Sequence, residues 1–378
     1  MKKIAILVLF ILLGNLQPAN AVDVLPEPFF KYLGSKYLAN PGVILIDGST
    51  NEVVYQSGAE TPRTPASVLK IISTSSIALT LDTATVFKTA IYKTEKKGVF
   101  VIWGDNDPWI TSNSKYRDAN KRAYMPALIK AAFASDKSLK KITLVYKGVN
   151  NSDILYAKRA LKRKSSVAYK PISKSVEVES LVTEKIAEIS SPPLHKMIRF
   201  ALLYSDNVLS QRLAMVATGR SGYPLTRTGF NQMAKDKLNA IGVDTTGMKL
   251  VDGSGIGGEN RVSAITVSQL LLKLKTEPKL KVIYESLPIS GESGTLIGRY
   301  HSTAPQAVGL VRAKTGTLNG TATLAGYVES TDREYVFVTL ADEIPRGNTA
   351  LNRARDAIDR VLGRIAAPNI PAEISATP

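Results

Sequence analysis

Five short apolar stretches with the pattern of β-strands lie near the two ends of the chain and constrain its fold most. The sequence between them is largely helical in pattern. The five stretches are 42–46 and 52–56 near the start, and 309–317, 322–328 and 334–340 near the end. Strands so distant in sequence can pair in one sheet, so we predict an α+β fold. It would be a five-stranded antiparallel sheet flanked by helices, with an all-helical lobe at one end and a closing helix at 348–365.

The helical pattern is interrupted after about residue 84. A second hairpin (86–92 with 98–103), a helix near 121–134 and a strand at 142–146 follow, before apolar helical patterning returns near 180. We therefore predict a small inserted α+β module at 85–180. The main domain would then be discontinuous, comprising 22–84 and 181–365.

Residues 1–21 have the pattern of a secretory signal peptide. Lys2 and Lys3 precede an apolar run at 4–13, and Ala19-Asn20-Ala21 is a small-x-small cleavage site. We expect an exported protein, periplasmic or extracellular, with a retained N-terminal anchor as the alternative. The sequence has no cysteine, so its stability has to come from a buried core. The Pro- and Ala-rich tail, 366–378, is predicted to be disordered.

The chain is strongly basic, with a formal net charge of +17. The signal segment contains two lysines and no acids, so the remainder stays near +15. Outside the membrane, such a charge favours an anionic wall polymer or a membrane surface over nucleic acid. The densest basic run, 158–164, has no interleaved aromatic residues to stack bases, which also argues against nucleic acid.

The first candidate site lies where a turn runs into an apolar helix at 64–72. Pro65 fits a first helical turn, and Ser67 and Lys70 share one helix face. A lysine in an apolar pocket can lose its proton and activate a serine. The spacing alone is weak, because 112–115 and 138–141 also fit Ser-x-x-Lys in polar surroundings, and an ordinary helix start is the alternative.

Two further stretches follow in order. Ser205-Asp206-Asn207 lies between two helical patterns, where a turn can present Ser205 and Asn207 together, although a helix N-cap is the alternative. Lys314-Thr315-Gly316 lies in a predicted edge strand, and Gly316 would let a ligand approach the backbone closely.

Ser-x-x-Lys, Ser-Asp-Asn and Lys-Thr-Gly, in this order, form the motif set of class A β-lactamases and penicillin-binding proteins. The chain resembles penicillin-binding proteins of the D-alanyl-D-alanine carboxypeptidase kind. More narrowly, 251–255 and 259–263 resemble the Asp-Gly-Ser-Gly and Asn-Arg-Val-Ser segment of the type-four class C group, whose carboxypeptidases are often also endopeptidases. The resemblance implies a serine hydrolase that acts on peptidoglycan stem peptides and is inhibited by β-lactams.

The resemblance also implies roles for the motif residues. Ser67 would be the nucleophile and Lys70 its base, while Ser205 and Lys314 would pass a proton to the leaving amine. Asn207 would hold the substrate amide and orient Lys70.

The third motif would bind the end of the substrate. The hydroxyls of Thr315 and Thr317, with the charge of Lys314, would receive the terminal carboxylate. The N–H groups of Ser67 and Thr317 would form the oxyanion hole. No metal or organic cofactor is required.

Two other functions remain possible from sequence. A serine β-lactamase shares the first step, but no glutamate here is followed three residues later by the asparagine of class A enzymes. A non-catalytic cell-wall-binding module could keep the fold without turnover. We discount a Ser-His-Asp triad, because His195 and His301 lie in no recognisable site. Residues 105–116 also fail as a calcium loop, with Tyr116 where the closing glutamate belongs.

Overall fold

The computed structural model describes residue 33 and residues 36–161, 166–173, 175–331 and 333–367. The predicted signal segment, 1–21, and residues 368–378 of the predicted tail lie outside the described residues. The strands are β1 (Gly42–Asp47), β2 (Val53–Ser57), β3 (Lys88–Lys93), β4 (Val99–Gly104), β5 (Ile142–Lys147), β6 (Val167–Pro171), β7 (Lys185–Ser190), β8 (Val311–Leu318), β9 (Thr321–Glu329) and β10 (Glu334–Ala341).

The α-helices of these residues are distributed between and after the strands. They are α1 (Leu69–Thr80), α2 (Ser114–Asn120), α3 (Met125–Ser135), α4 (Asn151–Ala160), α5 (Leu194–Leu203), α6 (Asn207–Arg220), α7 (Arg227–Asn239), α8 (Ala264–Thr276), α9 (Lys281–Glu285) and α10 (Asn348–Ala366). Within the described ranges, no helix is both long and apolar enough to cross a membrane.

The first sheet joins the two ends of the sequence. Its strand order is β2-β1-β10-β9-β8, every neighbouring pair is antiparallel, and β8 is an edge strand. Gly42 of β1 lies opposite Leu340 of β10, about 300 positions later, because both strands are apolar enough to be buried on both faces. The predicted five-stranded antiparallel sheet is confirmed.

Alternate side chains of β1 enter two different cores. Ile44 and Ile46 pack in the core shared with the helical lobe. Val43 and Leu45 pack in the core covered by α10. Successive strand side chains point to opposite faces, so this sheet has a helical layer on each side.

Helix α1 is the centre of the helical lobe. Its residues 69–78 are all buried, and it packs against α6, α7 and the lobe's shorter helices. A helix that is buried on every side has little freedom to shift. The residues at its N-terminal end are therefore held firmly next to the sheet.

The inserted module has a second five-stranded sheet, of order β6-β5-β4-β3-β7. The predicted hairpin is confirmed as the antiparallel pair β3 and β4, while β4, β5 and β6 run parallel. Helices α3 and α4 cover the sheet with Met125, Ile129 and Ile154. The module is thus an α+β unit with its own core.

The module extends further than the predicted boundary at residue 180. Residues 185–190 were expected to be helical but form β7, which pairs antiparallel with β3 and returns the chain to the lobe. The apolar residues Ile186 and Ile189 are three apart, which also fits a helical period. Pairing with the open edge of β3 decides the outcome, because strand formation depends on tertiary context.

Candidate active site

Ser67 and Lys70 lie at the entry to α1. Ser67 belongs to a 3₁₀ turn, Ala66–Val68, that continues directly into the helix. The Nζ of Lys70 donates a hydrogen bond to Ser67 Oγ at 2.8 Å. The two groups are therefore in position for direct proton transfer.

Lys70 is buried and fully hydrogen-bonded. Besides Ser67, its Nζ donates to Asn207 Oδ1 at 2.7 Å and to the Ser254 carbonyl oxygen at 2.6 Å. Burial lowers the pKa of Lys70 to about 8, although the carboxylates of Asp252 and Asp206 oppose this shift. A substantial fraction of the amine is therefore neutral near physiological pH and able to act as a base.

The carbonyl that holds Lys70 belongs to a loop organised by Asp252. One carboxylate oxygen, Oδ1, accepts from the backbone N–H groups of Ser254 and Gly255 at 2.7 and 2.6 Å. The other, Oδ2, accepts from Gly257 N at 2.8 Å and Asn260 Nδ2 at 2.9 Å. The Ser254 hydroxyl also donates to Asp252, so this serine is occupied by the turn.

Ser205–Asn207 forms the turn between α5 and α6. Ser205 has a φ of +54°, which turns the chain sharply, and Asp206 caps α6 by accepting from Leu209 N at 2.8 Å. The N-cap interpretation is thus confirmed for the middle residue. The two flanking residues face the site, Asn207 toward Lys70 and Ser205 toward Lys314.

Lys314 brings the third motif to the same place. Its Nζ donates to Ser205 Oγ at 3.1 Å and to the Thr315 carbonyl oxygen at 2.9 Å. The side chain is completely buried. Burial, together with the charge of Lys70, lowers the pKa of Lys314 well below its ordinary value.

Gly316 is required by packing inside the protein. A Cβ at this position would lie 2.1 Å from Thr323 Oγ1, 2.8 Å from the Pro65 carbonyl oxygen and 3.0 Å from Ser67 N. The expectation from sequence was close approach by a ligand. The structure shows that the missing side chain also lets β8 lie directly against the turn that carries Ser67, and approach by a ligand stays a prediction.

These groups open into a cleft of about 560 Å³. We call it the active-site cleft. Its lining includes Ser67, Ser205, Thr295, Arg299, Thr315, Thr317, Asn352, Arg355, Asp356 and Asp359. It is thus formed jointly by the lobe, the edge strand and α10, and most of its lining residues have polar side chains.

The competing serine motifs have ordinary structural roles. Ser112 Oγ donates to the Asp153 carbonyl oxygen at 2.9 Å. Ser138 is exposed and its hydroxyl donates to Asp136 at 2.6 Å. Neither hydroxyl is bonded to the lysine three residues later.

The two histidines lie outside the active-site cleft. Each has a ring nitrogen near a backbone carbonyl, His195 at Thr83 and His301 at Ile297. In the parts of the chain that the structure covers, no three acidic, histidine or cysteine side chains are grouped to hold a metal ion.

Sequence reasoning missed several residues of the cleft, and two of them contact the third motif. Arg355 of α10 donates to Thr317 Oγ1 at 3.0 Å, and Thr295 shares a hydrogen bond with Thr315 at 2.8 Å between hydroxyls. The sequence does contain a pattern that could have indicated Arg355. Asn352, Arg355 and Asp359 recur at helical spacing, as a polar stripe on a helix whose other side is apolar.

Comparisons with known proteins agree with this geometry. The chain is 30% identical over 379 residues to the carboxypeptidase DacB of Mycolicibacterium smegmatis, covering 86% of this chain and 82% of that protein. The structure of penicillin-binding protein 4 (DacB) from Haemophilus influenzae matches with a TM-score of 0.68 at 19% identity, covering 86% of this chain and 95% of that one. The same protein complexed with a β-lactam matches with a TM-score of 0.67 at 19% identity, over 85% and 96% of the two chains.

The match to a family model gives the assignment. The model of the D-Ala-D-Ala carboxypeptidase 3 (S13) family covers residues 151–365, which is more than half of the chain and includes the second and third motifs. The first motif lies before this range, and its Ser67 and Lys70 meet the other two in the fold. Together with the relative that spans most of the sequence, these matches show that the chain belongs to the D-Ala-D-Ala carboxypeptidase 3 (S13) family.

Proposed function

We propose that this serine-type carboxypeptidase removes the terminal D-alanine from peptidoglycan stem peptides through an acyl ester on Ser67. The observation that carries the proposal is the 2.8 Å hydrogen bond between Lys70 Nζ and Ser67 Oγ, in a setting that lowers the lysine pKa to about 8. Lys70 therefore contacts the serine hydroxyl and is neutral in a usable fraction of molecules, as a general base requires.

In the first step, Ser67 Oγ attacks the carbonyl carbon of the penultimate D-alanine. Neutral Lys70 takes the hydroxyl proton as the new C–O bond forms. The backbone N–H groups of Ser67 and Thr317 receive the negative charge on the carbonyl oxygen, where each donor is worth about 3 kcal/mol in comparable sites.

The C–N bond then breaks, and the departing amine needs a proton. Ser205 and Lys314 supply it, since the Ser205 hydroxyl is bonded to Lys314 Nζ at 3.1 Å. Asn207 holds the substrate amide while its own Oδ1 keeps Lys70 in place. Water finally attacks the ester, its OH group goes to the acyl carbon and its proton to Ser67, and the shortened peptide is released. The proton that Lys70 took from Ser67 returns to the Ser205–Lys314 pair, so that every group regains its starting state.

The substrate peptide is expected to lie along β8. This strand is at the sheet edge, so its outer backbone groups can pair with an extended peptide. The hydroxyls of Thr315 and Thr317 line the cleft at the position where the terminal carboxylate would arrive.

Export to the cell wall is part of the proposal. It is supported by the signal-peptide pattern of residues 1–21, by the substrate class and by the net charge of +17. The same charge supports contact with an anionic wall polymer or membrane surface.

Benzylpenicillin tests the nucleophile. A relative was solved with a β-lactam bound, and a β-lactam ring presents its carbonyl to an attacking serine in the same way as the peptide. We expect mass spectrometry to find a long-lived adduct on the peptide that contains Ser67, and none in Ser67→Ala. Ser138→Ala, which changes an exposed Ser-x-x-Lys serine, is the matched control and should be labelled normally. The parent and this control should also release D-alanine from a stem peptide.

Three results would contradict the proposal. Labelling of Ser67→Ala at another serine would mean that a residue other than Ser67 is the nucleophile. Absence of any adduct would favour a wall-binding module. Rapid turnover of a chromogenic cephalosporin would favour a β-lactamase.

A further inference from the structure

Arg355 of α10 occupies a position in the active-site cleft that no catalytic step described above uses. One guanidinium nitrogen donates to Thr317 Oγ1 at 3.0 Å and another to Asn352 Oδ1 at 3.1 Å. Thr317 follows Lys314–Gly316 directly in β8. A cation from the far end of the chain therefore meets the strand on which the end of the substrate is expected to lie.

A terminal carboxylate needs a positive partner, and the two lysines of the site are poor candidates. Lys314 is completely buried, donates to Ser205, and has a pKa well below its ordinary value because of burial and the nearby Lys70. Lys70, with a pKa lowered to about 8, is engaged with Ser67. Both amines are thus suited to moving protons rather than to holding a fixed charge.

Arg299, the other arginine of the cleft, is already neutralised. It forms an ion pair with Asp359, which also lines the cleft. Arg355 takes part in none of the ion pairs found among the described residues. Two cleft-lining acids, Asp356 and Asp359, follow it on the helix, and Asp359 is the one paired with Arg299. Burial lowers the pKa of Arg355, but a guanidinium stays protonated at neutral pH.

Arg355 is also accessible to a ligand, and its present hydrogen-bond partners can be replaced. It is half-buried, and its present partners are a hydroxyl and an amide oxygen, which are weaker acceptors than a carboxylate. A planar guanidinium can donate two parallel hydrogen bonds to one carboxylate, a geometry that lysine lacks. The hydrogen bonds that Arg355 would donate to a substrate carboxylate are therefore stronger than the hydrogen bond to Thr317 that they would replace.

We propose that Arg355 is a specificity-determining residue that binds the free C-terminal carboxylate of the departing D-alanine. Thr315 and Thr317 align that carboxylate, and Arg355 supplies its countercharge. The inference rests on the proposed acyl transfer at Ser67 and adds how the enzyme distinguishes a peptide end from an uncharged carboxamide.

The test compares two substrates that differ only at this group. One is an N-acylated peptide ending in D-Ala-D-Ala with a free carboxylate, and the other is its C-terminal amide. The kcat/KM for release of D-alanine or D-alaninamide is measured for the parent, Arg355→Ala and Arg355→Lys. Arg360→Ala, which changes an exposed arginine on the same helix away from the cleft, is the matched control.

We expect the parent and Arg360→Ala to prefer the acid over the amide by the same factor. In Arg355→Ala, kcat/KM for the acid should fall about tenfold, as for loss of one charge-assisted hydrogen bond in a partly exposed setting, mainly through KM. The value for the amide should stay within about twofold, since the acylation groups are untouched. Arg355→Lys should lie between the two.

Other outcomes would overturn the inference. Equal losses on both substrates would mean that Arg355 only supports β8, and an unchanged preference would mean that it does not contact the carboxylate. A parent protein that releases neither product and acquires no penicillin adduct on Ser67 would instead overturn the proposed function. The two failures are therefore distinguishable.

Discussion

Arg122, from the inserted module, donates a hydrogen bond to the carboxylate of Asp206, the middle residue of the turn that presents Ser205 and Asn207. Its guanidinium also lies 4.7 Å from the Trp109 ring centroid and 5.4 Å from that of Phe200. The module is therefore fastened to the active site by a buried cation that is both paired and stacked.

This contact predicts that the module is needed for catalysis. In Arg122→Ala, Asp206 loses its ion-pair partner and the Trp109 ring loses its packing. We expect penicillin acylation to slow about tenfold and the free energy of unfolding to fall by about 2 to 4 kcal/mol. Arg117→Ala, which removes an exposed ion pair with Asp118, is the control and should change little. Acylation at the parental rate in Arg122→Ala would show that the turn is positioned without the module.

The lowered pKa of Lys70 predicts the pH dependence of acylation. A base works in its neutral form, and the neutral fraction of Lys70 grows as the pH rises toward about 8. The acylation rate should thus increase through neutral pH and level off above that value. Measurement of the adduct by mass spectrometry after timed quenching gives the profile. A flat profile from pH 6 to 9 would rule out Lys70 as the base, whereas Lys249→Ala, at an exposed lysine, should leave it unchanged.

Replacement of Asp252 should affect both the loop and Lys70. In Asp252→Asn, an NH₂ group would face the N–H donors of Gly257 and Asn260, which costs about 1 to 3 kcal/mol of stability. The negative charge that raises the pKa of Lys70 is also removed, so the midpoint of the acylation profile should move to lower pH. The exposed turn residue Asp244 offers a control substitution, Asp244→Asn. A midpoint that moves to higher pH would contradict this account.

Gly316→Ala tests the packing between β8 and the turn that carries Ser67. The added methyl would overlap Thr323 Oγ1 and press on Ser67 N, so the strand or the turn has to shift. We expect a loss of about 1 to 3 kcal/mol in stability and slow acylation. In Gly258→Ala, the new methyl meets no atom within 4 Å and should have no such effect. Crystals of Gly316→Ala with an unmoved turn would disprove the steric explanation.

Asp107 predicts a pH-dependent stability in the module. It is buried, and desolvation raises its pKa from 3.8 to about 7. The native state therefore holds a proton that the unfolded chain has lost between about pH 4 and 7, and stability falls as the pH rises through this interval. Asp107→Asn removes the dependence and should be more stable than the parent at pH 8 by about 2 to 4 kcal/mol. Urea unfolding at several pH values measures this, with Asp82→Asn, at an exposed position outside the module, as control.

The sequence predicted well what depends on local pattern. The strands of the first sheet follow from runs of apolar residues, and the three motifs carry their own spacing. Ser67 and Lys70 had to share a helix face, and Ser205 and Asn207 had to flank a helix cap. The predicted domain boundary was less accurate at 185–190. The apolar pattern there fits both a helical and a strand period, and pairing with the free edge of β3 determines that the segment is a strand.

The rest of the site could not be predicted, because its contacts have no local signature. The Ser254 carbonyl that holds Lys70 is a backbone group, and any loop residue could provide one. Arg355 becomes significant only once α10 is known to lie beside Thr317. Such contacts depend on which distant segments meet, and that information is absent from periodicity.

The groups around Lys70 and Lys314 come from four separate segments of the polypeptide, at 67–70, 205–207, 254 and 314. A chain still in synthesis thus contains Ser67 and Lys70 well before Asn207, the Ser254 carbonyl and Lys314, which complete their surroundings. An incomplete chain would hold the serine without most of its partners. The full site forms only when the late edge strand lies against the early helix.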